Sequence, residues 1–429
     1  MSIFPRSKYL DQVMRFRDDN LIKVITGLRR CGKSTLLTLI SQRLLDDGVP
    51  SERIILINLE SLSADTPKDS QSLYKYFQQR TGTDCLYILI DEVQRIDRWE
   101  EAVNAMRVDF ACDIYVTGSN AFLLSSELAT YLSGRYVEIK MLPLTFKEYL
   151  EFRGLISPNA DIDQMHYEVL TDGESFFSIN QLFIEYRQYG GLPYLATRPT
   201  TINEHRVYMD TLYQSVITRD ILDRESWRSR RISNPDLLRR ILLFLSDNIG
   251  NKNSFNSISN TLKSEKLNHS SATVEAYVSA LEDAYLFYPV SRYDIKGKDY
   301  LKTLGKHYIV DLGLRNYLSG YRDTDQGRAL ENIIYLQLLY YGYDVSIGTY
   351  QNTEVDFIVA KPGKRVYIQV ADSIDDALTF ERELSPLIRI RDAYPRYVIV
   401  GRGDHPVDIE GIRIVRATDF LLQSWGEDL

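Results

Sequence analysis

From residue 21 to residue 120 the chain alternates between two hydrophobic periods. Near-continuous apolar runs of strand length occur at Leu21-Ile22-Lys23-Val24-Ile25-Thr26, from Arg53 to Asn58, from Leu86 to Ile90 and from Asp113 to Asn120. Stretches with helical spacing separate them, the first beginning at Thr35-Leu36-Leu37-Thr38-Leu39-Ile40. Runs that are apolar on both faces and divided by helices predict a parallel sheet covered on both sides, an α/β fold. In such sheets chemistry gathers beyond the carboxyl ends of the strands.

Downstream the pattern changes. Residues from about 175 to 232 are helical in spacing and carry Thr218-Arg219-Asp220 and an arginine cluster, Arg224, Arg228, Arg230 and Arg231. The interleaved Asp223 and Glu225 suit a solvated helix face. The other reading is a phosphate-contacting patch with Trp227 beside it. Three helices are then predicted over Leu237–Asn248, Phe255–Lys266 and Ala272–Leu286, the third capped by Ser270 or Ser271. Strands at Leu286–Val290 and Tyr300-Leu301 flank a turn at Ile295–Lys298. This order looks like a winged helix, whose DNA-reading versions place the third helix in the major groove. That helix, however, offers Thr273, Glu275, Ala276, Ser279, Glu282 and Asp283, and no lysine or arginine. Phosphate contact drives most DNA affinity, so an acidic third helix is a poor reader. The basic residues lie in the hairpin: Arg292, Lys296, Lys298 and Lys302. Hairpin-led DNA contact and a purely structural module both remain open.

The C-terminal region predicts a helix over Gly327–Tyr341 with Glu331-Asn332, then strands at Glu354–Val359 and Val366–Ala371 around a Pro362-Gly363 turn. An acidic helix residue, an Asp in one strand and an acid-x-lysine in the next describe the PD-(D/E)xK nuclease arrangement, in which carboxylates hold Mg²⁺ and a lysine activates water. Glu331 and Asp356 fit the first two places; Gln369 and Ala371 occupy the last two. Two carboxylates and an amide could hold a metal weakly, but without the lysine cleavage is not expected. Arg382-Glu383 on the following helix is either a stray ligand or a helix ion pair.

Composition narrows the class. A chain of 429 residues suggests two to four domains, and 44% apolar with 26% charged residues is ordinary for a soluble protein. The longest apolar runs fall far short of a membrane span, and no apolar leader opens the chain, so the cytoplasm is expected and a membrane partner is not. Three cysteines give no disulfide or zinc framework. The 30 tyrosines, scattered among apolar runs, read as half-buried packing. A net charge of −8 argues against a general nucleic-acid coat while leaving room for a local basic patch.

The most specific string is Gly27-Leu28-Arg29-Arg30-Cys31-Gly32-Lys33-Ser34, followed by Thr35. It stands between a predicted strand and a predicted helix, the context that makes G-x-x-x-x-G-K-[ST] a phosphate-binding loop. Gly27 and Gly32 let backbone N–H groups converge on anionic oxygens, and the helix N-terminus adds its positive end. Lys33 would reach the β- and γ-phosphates of ATP and Ser34 would bind Mg²⁺. Cys31 is either a tolerated small residue or a point where oxidation would block the loop. Asp91 and Glu92, at the end of an apolar strand about sixty residues later, suit support of Mg²⁺ and polarisation of the attacking water. Asn120 could orient water, or Ser119 or Asn120 could simply cap a helix. Arg135, after the turn at Ser133-Gly134, could neutralise a transferring phosphate across a subunit boundary, or form a surface ion pair.

In this order GLRRCGKS, LYILIDEVQ, VTGSN, SGRY and LPLTFKEYL resemble the AAA-type ATPases of the AAA_14 group joined to a DUF4143 C-terminal region, related to the signalling ATPases with numerous domains. The resemblance covers nearly the whole chain. It implies a P-loop ATPase of the additional-strand class, a sensor role for Asn120, an arginine-finger role for Arg135 and hence a homo-oligomer. Tyr189-Gly190-Gly191-Leu192-Pro193 matches a GGxP signature in which the proline, here Pro193, packs near adenine and reports nucleotide state to the lid. The residues alone give only a helix stop and turn there. The expected organisation is a P-loop ATPase core over 1–150, a helical lid over 151–232, a winged-helix module over 233–306 and a nuclease-like α/β domain over 307–429. The expected function is an ATP-hydrolysing motor or sensor that engages DNA, branched or single-stranded forms being candidates. The alternatives are a nucleotide-controlled switch without DNA and an ATP-dependent nuclease.

Overall fold

The computed structural model describes residues 4–429 apart from 64, 83, 120–131, 158–168, 172–174, 198–199, 223–231, 233, 265–268, 298, 322–324, 352, 404 and 424–428; over 299–304 it describes the backbone. The chain divides into two units, residues 1–142 with 283–285, and residues 143–282 with 286–429.

The first unit is built on five parallel strands: β1 (Ile22–Gly27), β2 (Ile54–Asn58), β3 (Leu86–Asp91), β4 (Cys112–Thr117) and β5 (Tyr136–Met141). Their order across the sheet is β2-β3-β4-β1-β5. All of β1 and β3 is buried, as continuous apolar runs require of central strands covered on both faces. Ile22, Val24, Ile88, Ile90 and Val116 pack against Leu73 and Phe77 of the helix Ser70–Gln78 and Trp99, Val103 and Met106 of the helix Trp99–Asp109. At the amino edge of the sheet Lys23 pairs with Asp113, both fully buried, and Tyr115 Oη donates to the same carboxylate at 2.7 Å. A buried ion pair of this kind needs such extra donors to offset its desolvation.

The second unit holds a nine-stranded mixed sheet. Its strands are β8 (Lys252–Asn253), β9 (Phe287–Asp294), β10 (Asp299–Ile309), β11 (Asp344–Tyr350), β12 (Thr353–Lys361), β13 (Lys364–Ala371), β14 (Arg396–Val400), β15 (Asp408–Ile409) and β16 (Ile412–Arg416). The order is β15-β16-β14-β13-β12-β11-β9-β10-β8. The sheet takes strands from both sides of residue 306, and β10 itself runs across that point. A separate hairpin pairs β6 (Val169–Thr171) with β7 (Phe176–Ser178). The helix Gln326–Tyr340 lies on this sheet, where Asn332 clamps β10 by exchanging two 2.9 Å hydrogen bonds with the backbone of Ile309. Ahead of β9 come the helices Pro235–Asp247, Phe255–Ser264 and Ser271–Asp283. Ser270 Oγ accepts from Thr273 N at 3.1 Å at the start of the last one.

The segment Gly190–Pro193 sits in this second unit, between the helix Ile179–Tyr189 and a short helix that Pro193 opens. Both glycines are dictated by contact. Gly190 has φ +79°, and a Cβ there would lie 2.3 Å from Asp311 Oδ1; at Gly191 a Cβ would lie 2.3 Å from the Leu144 carbonyl oxygen. Asp311 Oδ2 accepts from Gly191 N at 2.7 Å, and Oδ1 accepts from Leu314 N at 2.9 Å, which caps the helix Leu312–Ser319.

Burial pushes the Asp311 carboxyl up to about 6, against the lowering effect of backbone N–H groups of Gly191, Leu314 and Gly313. A folded-state value above the ordinary 3.8 means that the native chain holds this proton more tightly than the unfolded chain. The group's stabilisation is therefore complete below about pH 4 and is lost as pH rises through about 6. Asp311→Asn removes that loss. Calorimetry of the two proteins from pH 3 to 7 should show the wild type losing about 3 kcal/mol relative to the variant; a pH-independent difference contradicts the assignment.

Candidate functional site

Every phosphate-chemistry residue predicted in the first unit, where described, falls at one edge of its sheet, except Arg135. β1 ends at Gly27 and the helix Lys33–Asp46 begins six residues later, with Gly32 in a left-handed conformation (φ 107°) as its N-cap. Arg30 also has positive φ (66°), so the loop turns twice before the helix starts. Gly27 (φ +138°) is forced by space as well: a Cβ would lie 2.2 Å from the Met141 carbonyl oxygen of β5. Lys33 is 4% exposed and donates to the carbonyls of Gly27 and Leu28 at 2.9 and 3.0 Å. The ammonium is thus held inside the curl of the loop by the loop's own backbone. Cys31 is fully buried, Arg30 is exposed, and Ser34 and Thr35 are exposed in the first helical turn.

β3 ends at Asp91, buried, with Glu92 following in a left-handed conformation (φ 56°). Such backbone in a non-glycine residue is held by its surroundings and is common at functional sites. Here Thr117, the last residue of β4, supplies the hold. Its hydroxyl donates to Asp91 Oδ1 at 2.5 Å and accepts from Glu92 N at 3.0 Å. Asn58, the last residue of β2, donates to Asp91 Oδ2 at 3.0 Å. Three neighbouring strand ends therefore fix the acidic pair, and Gln94 Nε2 donates to the Glu92 carboxylate.

Two supports escaped the sequence reading. Arg6, buried, donates to the Cys31 carbonyl at 3.2 Å and the Leu142 carbonyl at 2.8 Å, tying the back of the phosphate loop to the end of β5. Glu60 accepts from Arg29 at 3.1 Å and from Arg95 at 2.6 Å, which links the loop to the turn after β3. Nothing local marks Arg6. Thr117 was detectable as a polar residue closing a buried strand.

Asn120 lies outside the described residues. Arg135 does not join the cluster: its carbonyl accepts from Ile22 N at 2.9 Å at the start of β1, and its side chain reaches Asn104 at 3.3 Å. Because β1 and β5 are parallel, with Ile22 opposite Tyr136 and Gly27 opposite Met141, Arg135 stands at the amino edge of the sheet. Five strand residues, roughly 17 Å, separate that edge from the phosphate loop.

In the second unit Glu331, Asp356 and Gln369 come together, and an unpredicted residue stands among them. Lys306 of β10 places Nζ 2.7 Å from Glu331 Oε1, 2.7 Å from Glu354 Oε1 and 3.8 Å from Asp356 Oδ1. Burial would favour the neutral amine, but the charges of Glu331, Asp356 and Glu354 outweigh it and raise the pKa of Lys306. Burial and the nearby Glu331 charge push Asp356 well above the carboxylate range. Gln369 Oε1 accepts from Asp356 N at 3.2 Å, while Nε2 donates to Glu383 at 2.8 Å. Glu383 also pairs with Arg382 at 2.7 Å, so the helix ion pair forms and the carboxylate meets the cluster as well. Among the described residues no group of three or more His, Cys, Asp or Glu side chains is arranged to hold a metal.

Of the basic hairpin residues, Arg292 is half-buried and donates to Thr349 Oγ1 at 3.2 Å. Lys296 is exposed in the turn; Lys298 and the side chain of Lys302 lie outside the described residues, as does the arginine cluster at 224–231. Among the described residues no helix is long and apolar enough to cross a membrane.

Comparison with known proteins agrees with the first unit's architecture. The family model of an AAA domain, AAA_14, matches residues 19–150, and a domain of unknown function, DUF8612, matches residues 180–325. An uncharacterized protein of Haemophilus influenzae is 38% identical over 424 residues, 98% of this chain and 99% of the relative. An uncharacterized protein of Methanocaldococcus jannaschii is 30% identical over 377 residues, 85% and 77% of the two chains. Among solved structures, the Walker-type ATPase of Pyrococcus abyssi is 15% identical with a TM-score of 0.45, covering 74% of this chain and 96% of that one. The matched AAA segment contains the phosphate loop and the acidic pair, and β4 lies between the strands that carry them, the additional-strand arrangement. The chain belongs to the AAA-type P-loop ATPases through its AAA_14 segment, residues 19–150, and shares a family with the 38% identical Haemophilus protein.

Proposed function

We propose that the protein hydrolyses ATP at the carboxyl edge of the first unit and uses the cycle as a molecular motor or sensor. The observation that carries this is the hydrogen-bonded group Asp91–Thr117–Glu92 at the same sheet edge as the Gly27–Ser34 loop. Backbone N–H groups of the loop and Lys33 bind the phosphates. A divalent cation would be held by the Ser34 hydroxyl and through Asp91, and when bound it supplies neutralisation of phosphate charge. Asp91 suits support at one remove, because each of its oxygens already accepts one hydrogen bond. Glu92 accepts a proton from the attacking water as oxygen bonds to the γ-phosphorus and ADP departs. Glu92→Gln should lower kcat by ~10²–10⁴-fold with ATP affinity kept. Thr117→Val, which removes the hydroxyl that both acidic residues share, should lower it by roughly 10–100-fold. Steady-state turnover beside equilibrium binding of a fluorescent ATP analogue checks both, and unchanged kcat in Glu92→Gln removes the assignment.

Arg135 acts in trans in this reading. It stands roughly 17 Å from its own phosphate loop along the strand direction, too far for an arginine side chain, so a homo-oligomer must bring it to a neighbour's nucleotide. Arg135→Ala alone should be at least about 10³-fold slower. Mixing Arg135→Ala with Glu92→Gln protein should regain turnover, because a mixed interface pairs an intact Glu92 with an intact Arg135. Absence of complementation in mixed assemblies sinks the trans role.

DNA is the proposed load, engaged through a winged-helix-like module over 233–306. Its support is the run of three helices, the short strand β8 and the β9–β10 hairpin, in the order β9-β10-β8 within the sheet, with Lys296 exposed at the tip. The second reading, a nucleotide-controlled switch without DNA, is favoured by the acidic third helix and by Arg292 being engaged with Thr349. ATPase rates measured with single-stranded, duplex and forked DNA at low salt separate the two. Stimulation by one structure is expected; no binding to any of them leaves the switch.

A further inference from the structure

We propose that the Lys306 ammonium occupies the position that a divalent metal would take in the C-terminal sheet, so that the Glu331–Asp356 cluster is a closed, metal-free charge cage that does not cleave. The nuclease-like pattern implies a metal between the helix glutamate and the strand aspartate, and with Lys306 in place the donor set does not fit one. Glu331 Oε1 already accepts from Lys306 Nζ at 2.7 Å and from Tyr308 Oη at 2.5 Å. Asp356 Oδ2 accepts from Val370 N at 2.9 Å, while its Oδ1 faces the ammonium at 3.8 Å. The third position fails as a ligand because the only oxygen of the Gln369 amide is turned to the backbone N–H of Asp356. Mg²⁺ demands several oxygens at about 2.0–2.1 Å in near-octahedral geometry. An ammonium instead satisfies carboxylates at 2.7 Å with three donors and a single charge.

The cage is closed as well as filled. Glu331 and Lys306 are 9% and 3% exposed. The turn before β8 passes over the glutamate, since a Cβ at Gly250 would lie 3.1 Å from Glu331 Oε2. Glu354 is shared between Lys306 and Lys252, and Tyr335 stacks on Tyr308 with centroids 4.4 Å apart. Among the described residues these walls leave Glu331 and Lys306 almost wholly covered. The lysine missing at Ala371 is thus replaced by one on a different strand, where it neutralises carboxylates rather than serving a metal-bound water.

The test uses the full chain without nucleotide and with Mn²⁺ as the probe. Wild type and Asp356→Asn should give the same Tm response to millimolar Mn²⁺. Lys306→Met leaves uncompensated buried carboxylates and should lower Tm by roughly 10 °C. Mn²⁺ should restore part of that loss, with Mn²⁺ binding seen by electron paramagnetic resonance, and Lys306→Met/Asp356→Asn should lose both effects. If Lys306→Met is insoluble, the neutral variant Lys306→Met/Glu331→Gln/Asp356→Asn should be soluble, melt near the wild type and ignore Mn²⁺; its insolubility overturns the proposal. Mn²⁺ stabilisation of the wild type that disappears in Asp356→Asn also overturns it. So does Mn²⁺-dependent DNA cleavage lost in Lys306→Met, which would make Lys306 a relocated catalytic lysine, or a soluble Lys306→Met protein indifferent to the metal.

Discussion

A parallel sheet covered on both faces can offer polar side chains only where its strands stop. In the first unit that constraint decides where chemistry is possible. β1, β2, β3 and β4 stop at Gly27, Asn58, Asp91 and Thr117, and the side chains at the last three ends bond to one another. The loop after β1 is squeezed against the end of β5, close enough that only glycine fits at residue 27. Once the strands are in register the phosphate loop and the acidic pair have no other place to be. Thr117 then sets the finer geometry, because one hydroxyl holds the Asp91 carboxylate and the strained Glu92 backbone together.

The second unit solves a different problem with buried charge. Asp311 stands under the Gly190-Gly191 turn, where its two oxygens satisfy an N–H from the turn and an N–H from the helix it caps. It fixes the approach of these two backbone segments together with Asn316, whose amide donates to the Arg187 and Gln188 carbonyls at 3.0 Å. Lys306 does the analogous thing with opposite charge, linking β10 to the helix Gln326–Tyr340 and to β12. Asn332, one residue along that helix, reinforces the link through the backbone of Ile309. Such groups hold structure only while fully partnered, since removing one partner strands the other in a poorly solvated site.

How much of this the sequence discloses depends on how local each cause is. The phosphate loop, its helix and the apolar strands are written in contiguous residues, and the hydrophobic period finds them directly. The GGxP turn is visible as a turn, but the reason for two glycines is not, because the groups that exclude a Cβ are Asp311 and the carbonyl of Leu144, distant along the chain. Arg6 supports the loop from 25 residues away and reaches Leu142 across 136. Arg292 looks like a free hairpin cation until β11 pairs beside β9 and brings Thr349 to it. Glu331 and Asp356 are legible by pattern, yet nothing beside Lys306, which leads into the apolar run Tyr308-Ile309-Val310, tells which distant carboxylates it meets.

The two carboxylate groups differ in what completes them. At the end of β3 the Thr117 hydroxyl and the Asn58 and Gln94 amides, all neutral, donate to the carboxylates of Asp91 and Glu92, and the Glu92 backbone N–H donates to the same hydroxyl. Neutral donors orient carboxylate oxygens without cancelling their charge. In the C-terminal sheet the completing groups are two ammonium ions, Lys306 and Lys252, and they consume the potential that would attract a metal. In the proposed reading, similar residue types serve a chemical site in one unit and a structural tie in the other. In the second unit the partner is Lys306 of β10, which reaches Glu331 and Glu354 through the fold and not through neighbouring sequence.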